Sequence, residues 1–275
     1  QAVHDLTFSR AAAQKWLPPK GVSDSGQLKG MIAIDVFGQP ADFDALRTIT
    51  DPFQLKVIED SCEALGAEYK NRKAGTLGDF GVFAFYPNKQ ITTGEGGLVI
   101  TNHDEDADKI RAMRNQGRAP GDTWLEHTYL GYNYRMDELS AALGAAQMKR
   151  IQELMAARQR VADWYRAELS SVPGITCPVV APTTTRSSWF VYVIRLDRGI
   201  DRKSLSEKLE ALGIPVRPYF SPIHFQPYIR EKFGYQKGRF PVTEDLGERG
   251  LALPFSGKMT EEQVQEIASA LRQIL

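Results

Sequence analysis

Residues 31–59 read MIAIDVFGQPADFDALRTITDPFQLKVIE, and this stretch predicts the fold. It begins with a continuous apolar run over residues 31–37, bounded by glycines, which is typical of a buried strand. After a break at residues 38–40, residues 42–49 have helical spacing, and residues 55–59 form a second buried strand. A strand, a helix and a strand within about thirty residues are what a parallel sheet requires. The sequence therefore predicts an α/β fold with a mostly parallel sheet.

The composition excludes several classes of function. The chain has 275 residues, and its 34 Lys and Arg balance its 34 Asp and Glu, so no basic excess is available to bind nucleic acid. Its two cysteines, Cys62 and Cys177, have no paired spacing, so we expect no disulfide framework and no metal site. Neither a membrane span nor a signal peptide is apparent. These features predict a cytoplasmic protein that binds neither nucleic acid nor membrane.

Further elements extend the pattern on the C-terminal side. Residues 81–86 and 97–101 resemble strands, and residues 104–114 a helix. A long helical periodicity over residues 137–169 suits a helix that leaves one domain and enters another. Beyond it, a strand at 189–196, a helix at 202–212, a strand at 216–220 and a helix at 260–275 predict a smaller α+β domain. We therefore expect two domains, over residues 1–150 and 151–275.

Two side chains in the first of these domains are candidates for chemistry. Asp60 follows a predicted parallel strand, at the edge where open α/β sheets bind ligands, although Asp is also a common helix N-cap. Lys89 lies in the segment FYPNKQITTGEGG, residues 85–97, between aromatic residues and a group of glycines. Most loop lysines are simply solvated. A partly desolvated lysine has a lowered pKa and becomes a usable amine nucleophile.

The two residues together suggest one particular chemistry. Pyridoxal phosphate enzymes need a lysine that holds the cofactor aldehyde as an imine and a carboxylate that keeps the pyridine nitrogen protonated. Lys89 and Asp60 match these two roles. A lysine amine so placed can also move the amino-acid Cα proton as general base and then general acid.

Five segments carry a family resemblance. VIEDSCEALGA (57–67), residues 85–97 and GYNYRMD (131–137), with FPVTEDL (240–246) and LALPF (251–255), resemble the DegT/DnrJ/EryC1/StrS sugar aminotransferases, which are fold-type I pyridoxal phosphate enzymes. The resemblance extends from about residue 10 to the C-terminus. It implies that residues 1–150 are the remainder of a large cofactor-binding domain and residues 151–275 a small C-terminal domain.

The resemblance also implies an activity. An amino acid, with glutamate as the expected donor, would aminate the cofactor, and the amino group would pass to a keto group of a nucleotide-linked sugar. Such a product would serve surface polysaccharide or secondary-metabolite amino-sugar biosynthesis.

The same resemblance assigns roles to cofactor-binding residues. It implies that Lys89 carries the imine and that Asp60 pairs with the pyridine nitrogen. Glu63 stands where many relatives have Gln or His near the ring, although an acid at a helix start is also favoured by the helix dipole. Asn133 matches an asparagine that reaches the cofactor phosphate of a neighbouring subunit, which implies a homodimer. Its alternative is an Asn in a turn.

Two residues of the second domain are candidates for contact with the sugar nucleotide. By resemblance, Tyr219 and His224 lie where the small domain approaches this substrate. A histidine in an aromatic segment is more often a packed residue than a ligand, so both interpretations stand.

Two departures from the family pattern leave other functions open. Ala84 occupies a position where many relatives have a phosphate-binding serine, and the expected upstream Ser-Gly-Thr turn is missing, with residues 24–27 a weak substitute in a surface loop. We expect a chain without the N-terminal part of the family fold. An aminotransferase-fold protein with only a binding or regulatory role is one alternative. A sugar dehydratase is another, although dehydratases of one type replace the lysine with histidine.

Overall fold

The structure is a computed structural model that describes residues 1–24 and 26–275. It contains two compact units. The central unit comprises Gly30–Met155 and Ala181–Phe190, and the terminal unit comprises Gln1–Lys29, Ala156–Val180 and Val191–Leu275. The weak phosphate-turn substitute at residues 24–27 includes Ser25, which lies outside the described residues.

The chain forms ten α-helices and eleven strands within the residues that the structure describes. The α-helices are α1 (Ala2–Phe8), α2 (Arg10–Ala13), α3 (Phe43–Thr50), α4 (Asp104–Arg114), α5 (Glu138–Met148), α6 (Ile151–Leu169), α7 (Arg202–Ala211), α8 (Pro227–Phe233), α9 (Pro241–Arg249) and α10 (Glu261–Ile274). The strands are β1 (Gly30–Ile34), β2 (Lys56–Asp60), β3 (Glu68–Tyr69), β4 (Arg72–Lys73), β5 (Phe80–Ala84), β6 (Gly97–Thr101), β7 (Ile175–Thr176), β8 (Thr184–Arg186), β9 (Tyr192–Leu196), β10 (Arg217–Pro218) and β11 (Gly250–Leu253). In the described ranges, we find no helix that is both long and apolar enough to be a candidate membrane span.

The main sheet of the central unit has the order β1-β2-β5-β6. Its first three strands are parallel, and β6 is antiparallel to β5. This arrangement confirms the predicted α/β class with a mostly parallel sheet. Ile34 pairs with Asp60, and Asp60 pairs with Val82, so the carboxyl ends of the three parallel strands meet at one edge.

One face of this sheet forms the core of the central unit. The buried cluster on this face joins β1, β2, β3 and α3. It comprises Ala33, Phe43, Val57, Tyr69 and Leu77. Helix α3 begins after Asp42, whose carboxylate accepts the Ala45 N–H at 3.2 Å and the Tyr69 hydroxyl at 2.7 Å. The N-cap bond to Ala45 and the bond to the core residue Tyr69 therefore both fix the N-terminal end of α3. Ile32, Ile34 and Ile58 alternate with these core residues and face the other, exposed side of the sheet.

A buried carboxylate organises the chain between β4 and β5. Glu59 lies on the core face of β2 and accepts the N–H groups of Gly75, Leu77 and Gly78 at 2.5, 2.7 and 3.1 Å. Three backbone donors satisfy the buried carboxyl oxygens of Glu59 and fix the loop.

The terminal unit has an antiparallel sheet of order β10-β11-β9-β7. Helix α10 begins with a capping box formed by Thr260 and Gln263, and it buries an apolar stripe. The rings of Tyr165 and Tyr192 stack at 4.8 Å, and the Tyr165 hydroxyl donates to the Pro254 carbonyl at 2.6 Å. The predicted α+β layer in this part of the chain therefore rests on an antiparallel sheet.

Several predicted elements were wrong in extent. The strand expected over residues 31–37 ends at Ile34, because a short 3₁₀ turn follows in which Phe37 has a positive φ of 61°. The helix expected over residues 137–169 is two helices, because the Arg150 N–H turns back to the Gln147 carbonyl between α5 and α6. The strand expected at 189–196 begins only at Tyr192. Trp189 has a positive φ of 49°, and the Ser188 N–H before it donates to the Gly38 carbonyl in the loop after β1. The strand expected at 216–220 is the two-residue β10.

The two units group the chain differently from the predicted domains 1–150 and 151–275. One break, between Met155 and Ala156, lies near the predicted boundary. However, Gln1–Lys29 belongs to the terminal unit, where the Lys20 N–H donates to the Phe233 carbonyl at the end of α8. Ala181–Phe190 belongs to the central unit, because its strand β8 pairs with β3. The division into two continuous domains stays a prediction.

We predict that Leu251→Ala destabilises the protein by about 2–5 kcal/mol, because it removes a fully buried side chain from a strand with neighbours on both sides. Urea unfolding measures the free energy. Leu212→Ala is the control, since Leu212 is 57% exposed, and it should change the free energy of unfolding by less than about 0.5 kcal/mol. Equal effects of the two substitutions would contradict the assignment of the core.

Candidate active site

Asp60 stands at the carboxyl edge of the parallel strands. It is the last residue of β2, and it points to the same sheet face as its paired neighbours Ile34 and Val82. Ile34 is 54% exposed, so this face is open beside the carboxylate. The structure therefore places Asp60 at the end of a parallel strand, as the sequence predicted.

The turn after Asp60 is held by hydrogen bonds to both neighbouring strands. The Ser61 N–H donates to the Val82 carbonyl at 3.0 Å, and the Ser61 hydroxyl donates to Asp35 Oδ2 at 2.7 Å. The Asp35 N–H donates to the Asp60 carbonyl at 3.0 Å, and the Cys62 N–H donates to Asp60 Oδ1 at 3.2 Å. These hydrogen bonds therefore fix the turn that follows Asp60.

Lys89 and Glu63 come together in the central unit. Lys89 Nζ lies 3.8 Å from Glu63 Oε1 and 4.5 Å from the centre of the Phe190 ring, and its side chain is only 15% exposed. The other Glu63 oxygen, Oε2, accepts the Phe37 N–H at 2.9 Å. A carboxylate on one side and a π-face on the other both attract an ammonium group, so the lysine head is confined.

The residue after Lys89 ties its loop to the same turn. The Gln90 amide donates to the Glu63 carbonyl at 2.5 Å and to the Ser188 hydroxyl oxygen at 2.8 Å. Ser188 and Phe190 in turn donate their N–H groups to the carbonyls of Gly38 and Phe37. Segment Ala181–Phe190 therefore packs into the site of the central unit.

The glycines after Lys89 allow a tight loop. A Cβ on Gly96, whose φ is 152°, would lie 2.5 Å from Thr93 Oγ1 and 2.6 Å from Met136 Cε, so another residue there would strain the backbone and displace both side chains. The side chain of Gln147 on α5 accepts the Thr92 N–H and donates to the Thr92 carbonyl. Close packing and a helix side chain thus fix this loop.

Burial dominates the electrostatics around the turn. Desolvation raises the pKa of Cys62 to about 12, and the neighbouring Asp60 acts in the same direction. Desolvation also raises the pKa of Asp35 to about 7. Among the described residues, no group of three His, Cys, Asp or Glu side chains is arranged to hold a metal ion.

Asn133 lies apart from this cluster. It forms an antiparallel bridge with Asn115, and its neighbours Tyr132 and Tyr134 donate N–H groups to carbonyls of Met113 and Arg114 at the end of α4. Its side chain is exposed. This geometry fixes the backbone of Asn133 and leaves its amide on the surface.

Tyr219 and His224 belong to the terminal unit, so the central unit does not contain them. His224 is 6% exposed, and its Nε2 lies 3.0 Å from Glu244 Oε1. Burial acts to raise the pKa of Glu244, but hydrogen bonds from the N–H groups of Gly238 and Phe240, together with His224, hold it below its usual value. The alternative of a packed histidine fits this geometry. Tyr219 is half-buried.

Four residues that contact Lys89, Glu63 or the turn after Asp60 were not predicted as site residues from the sequence: Asp35, Gln90, Ser188 and Phe190. Asp35 could have been found, because it follows a predicted strand parallel to the one that ends at Asp60. Phe190 is buried like a core residue, and its ring also faces the lysine. Nothing in the local sequence indicated that Ser188 and Phe190 would return to residues 37–38.

Comparison with known proteins identifies the family. A family model described as the DegT/DnrJ/EryC1/StrS aminotransferase family matches residues 16–272. The chain belongs to this family. This result confirms the resemblance, the fold-type I class and pyridoxal phosphate as the cofactor of the family.

Three similar proteins illustrate the match. GDP-perosamine synthase from Caulobacter vibrioides is 38% identical over 250 residues, covering 90% of this chain and 66% of that protein. The structure of S. venezuelae DesV in complex with a ketimine intermediate has a TM-score of 0.83 at 30% identity, covering 90% of this chain and 65% of DesV. DesI, solved in the presence of its TDP-sugar product, has a TM-score of 0.80 at 29% identity, covering 92% and 63%. The chain thus spans about two thirds of the length of these relatives.

The electrostatics of the turn predict slow alkylation of Cys62. In a Cys177→Ser background, iodoacetamide should modify Cys62 at pH 8 at least about 100-fold more slowly than an unperturbed thiol, because little thiolate is present. Asp60→Asn should accelerate the reaction about three- to tenfold, because it removes the negative charge beside the sulfur. Asp51→Asn, at an exposed carboxyl, is the control. An unchanged rate in Asp60→Asn would show that Asp60 does not act on this thiol.

Proposed function

We propose that the protein containing this chain is a pyridoxal phosphate-dependent sugar aminotransferase. It would transfer an amino group from an amino acid, with glutamate as the proposed donor, to a keto group of a nucleotide-linked sugar. The named relatives support the substrate class, since one is a GDP-perosamine synthase and another was solved with a TDP-sugar product. Because the chain spans about two thirds of these relatives, the activity is a proposal for the whole protein.

One observation carries the proposal. The Lys89 amine is confined between Glu63 and Phe190, and Glu63 belongs to the turn that begins at Asp60. A confined lysine and a carboxylate at the open edge of parallel strands are the two groups that this cofactor needs.

The donor set of the central unit fits the cofactor. Lys89 would attach it, and the Asp60 carboxylate, which stands on an open sheet face, would pair with its ring nitrogen. Glu63 would lie near the ring. When bound, pyridoxal phosphate supplies an electron sink for the charge left when an amino acid loses its Cα proton.

Lys89 would also move protons. Its amine is held at 3.8 Å from Glu63, so it has a fixed position from which to accept and return the Cα proton as general base and then general acid. Gln90 and Phe190 would restrict the motion of the lysine in both steps.

The remaining site residues are proposed from the resemblance and from exposure. Asn133 would bind the cofactor phosphate of the partner subunit in a homodimer, and its exposed side chain supports this role. Tyr219 and His224 would contact the sugar nucleotide. The burial of His224 against Glu244 makes Tyr219 the more accessible of the two.

The proposed reaction takes place in the cytoplasm, and its product is an amino sugar. The cysteine usage of the chain supports a cytoplasmic site of reaction. The amino sugar would enter surface polysaccharide or secondary-metabolite biosynthesis. The name of the C. vibrioides relative supports an amino-sugar product, and the pathway itself rests on the resemblance.

We predict that pyridoxal phosphate attaches to Lys89. Incubation of the chain with the cofactor, borohydride reduction and peptide mass mapping should place the label on Lys89. In the whole protein, Lys89→Ala should lower kcat at least about 100-fold, because the proton-transfer group is lost.

Lys89→Arg is the matched variant, because it keeps the charge without an amine that can form the imine, and it should take up no label. Lys149→Arg, outside the site, should label like the wild type. Labelling of another lysine in the unmodified chain would contradict the assignment. Normal labelling without turnover in the whole protein would favour the alternative, a binding or regulatory protein with this fold.

We predict that Asn133 serves the neighbouring site. In the whole protein, Lys89→Ala and Asn133→Ala homodimers should each be impaired. Mixed subunits should recover up to about one quarter of the wild-type sites, because each heterodimer contains one intact site. Activity assays after co-refolding measure the recovery. Mixtures no more active than the average of the two variants would place Asn133 in its own subunit's site or outside any site.

A further inference from the structure

Two carboxyl groups are buried side by side behind the candidate site. Asp35 and Glu59 are both fully buried, and each is next in sequence to one member of the Ile34–Asp60 strand pair. Asp35 lies just beyond the end of β1, and Glu59 is the residue before Asp60 on β2. Two adjacent buried carboxylates cannot both be charged without a large cost, so such a pair shares one proton.

The hydrogen bonds indicate where the proton resides. Glu59 accepts three backbone N–H groups. Within the described part of the chain, Asp35 accepts the Ser61 hydroxyl at 2.7 Å and the Ala41 N–H at 2.9 Å, one donor fewer than Glu59. Burial raises the pKa of Asp35 to about 7, and the charge of Glu59 adds to this effect. Glu59 is the ionisable neighbour that raises the pKa of Asp35, and among the described residues no ion pair joins a basic side chain to either carboxyl.

Asp35 also touches each segment that shapes the site. Its carboxyl binds Ser61, its N–H binds the Asp60 carbonyl, and its other carboxyl oxygen binds Ala41 at the far end of the loop that carries Phe37. The Phe37 N–H in that loop holds Glu63. Asp35 is therefore bonded to the turn that follows Asp60 and to the end of the loop whose Phe37 N–H holds Glu63.

We propose that Asp35 is a positioning residue, which holds the Asp60–Glu63 turn and the Phe37 loop by means of a proton shared with Glu59. Only the description of this turn as part of an active site rests on the proposed function. When Asp35 loses its proton, two like charges face each other in the interior, and the packing of the turn and the loop is weakened.

The sign of the pH effect follows from linkage. The pKa of Asp35 is raised from 3.8 to about 7 on folding, so between about pH 4 and pH 7 the native state binds more protons than the unfolded state. This contribution to stability is full below the unfolded-state value. It is lost as the pH rises through the folded-state value.

The first test is thermal unfolding of the 275-residue chain without cofactor from pH 5 to pH 8. Asp35→Asn cannot lose a proton, so the midpoint temperature of the wild type should fall relative to that of Asp35→Asn as the pH rises. Asp51→Asn, at an exposed carboxyl, should follow the wild type in parallel. A constant difference between wild type and Asp35→Asn would overturn the proposal.

A second variant keeps the test decisive if Asp35→Asn fails to fold. The Ser61 hydroxyl stabilises the ionised form of Asp35, so Ser61→Ala should move the pH at which stability is lost to a higher value. A merely structural role for Ser61 would lower stability equally at all pH values, and that result would contradict the shared proton.

Hydrogen exchange tests the positioning itself. After correction for intrinsic exchange, peptides covering residues 35–41 and 60–64 should lose protection between pH 6 and pH 8 in the wild type, while α10 should not. Uniform behaviour of all three segments would refute the positioning role. None of these measurements requires the cofactor, so failure of the proposed function leaves their outcome unaffected.

Discussion

The hydrogen-bonded ladder of β1, β2 and β5 determines where the side chains of the candidate site lie. Because Ile34, Asp60 and Val82 share one register, the turns that follow these strands start from a common edge. A shift of β2 by one residue would move Asp60 to the core face and Glu59 to the open face. The buried hydrogen bonds of Glu59 oppose that shift, since they exist only in the observed register.

Carboxylates do most of the local positioning in the central unit. Asp42 starts α3, Glu59 fixes the chain before β5, Asp35 fixes the turn after β2, and Glu63 joins the Phe37 loop to Lys89. Each of them accepts backbone N–H groups or hydroxyls from segments that lack a regular ladder. Such charge-assisted bonds give irregular loops a defined geometry. Lys89 thus rests on a framework of short polar contacts as well as on apolar packing.

The sequence predicted the elements with strong periodicity. It also predicted that Asp60 lies at a strand end and Lys89 in a loop. The parallel strands, α4 and α7 were found because apolar spacing and caps are local signals. The break between α5 and α6 was missed because it contains neither Gly nor Pro, and its cause is a turn hydrogen bond. Segment Ala181–Phe190 was missed as part of the site because its partners lie about 150 residues earlier in the chain, a separation that local patterns do not encode. Its contribution is a tertiary one.

The most direct test of this account is a crystal structure of the chain with pyridoxal phosphate. The account predicts continuous density from Lys89 Nζ to the cofactor, with the Asp60 carboxylate within hydrogen-bonding distance of the ring nitrogen and Glu63 beside the ring. Cofactor attached to a different lysine, or an Asp60 carboxylate turned away from a cofactor on Lys89, would contradict it.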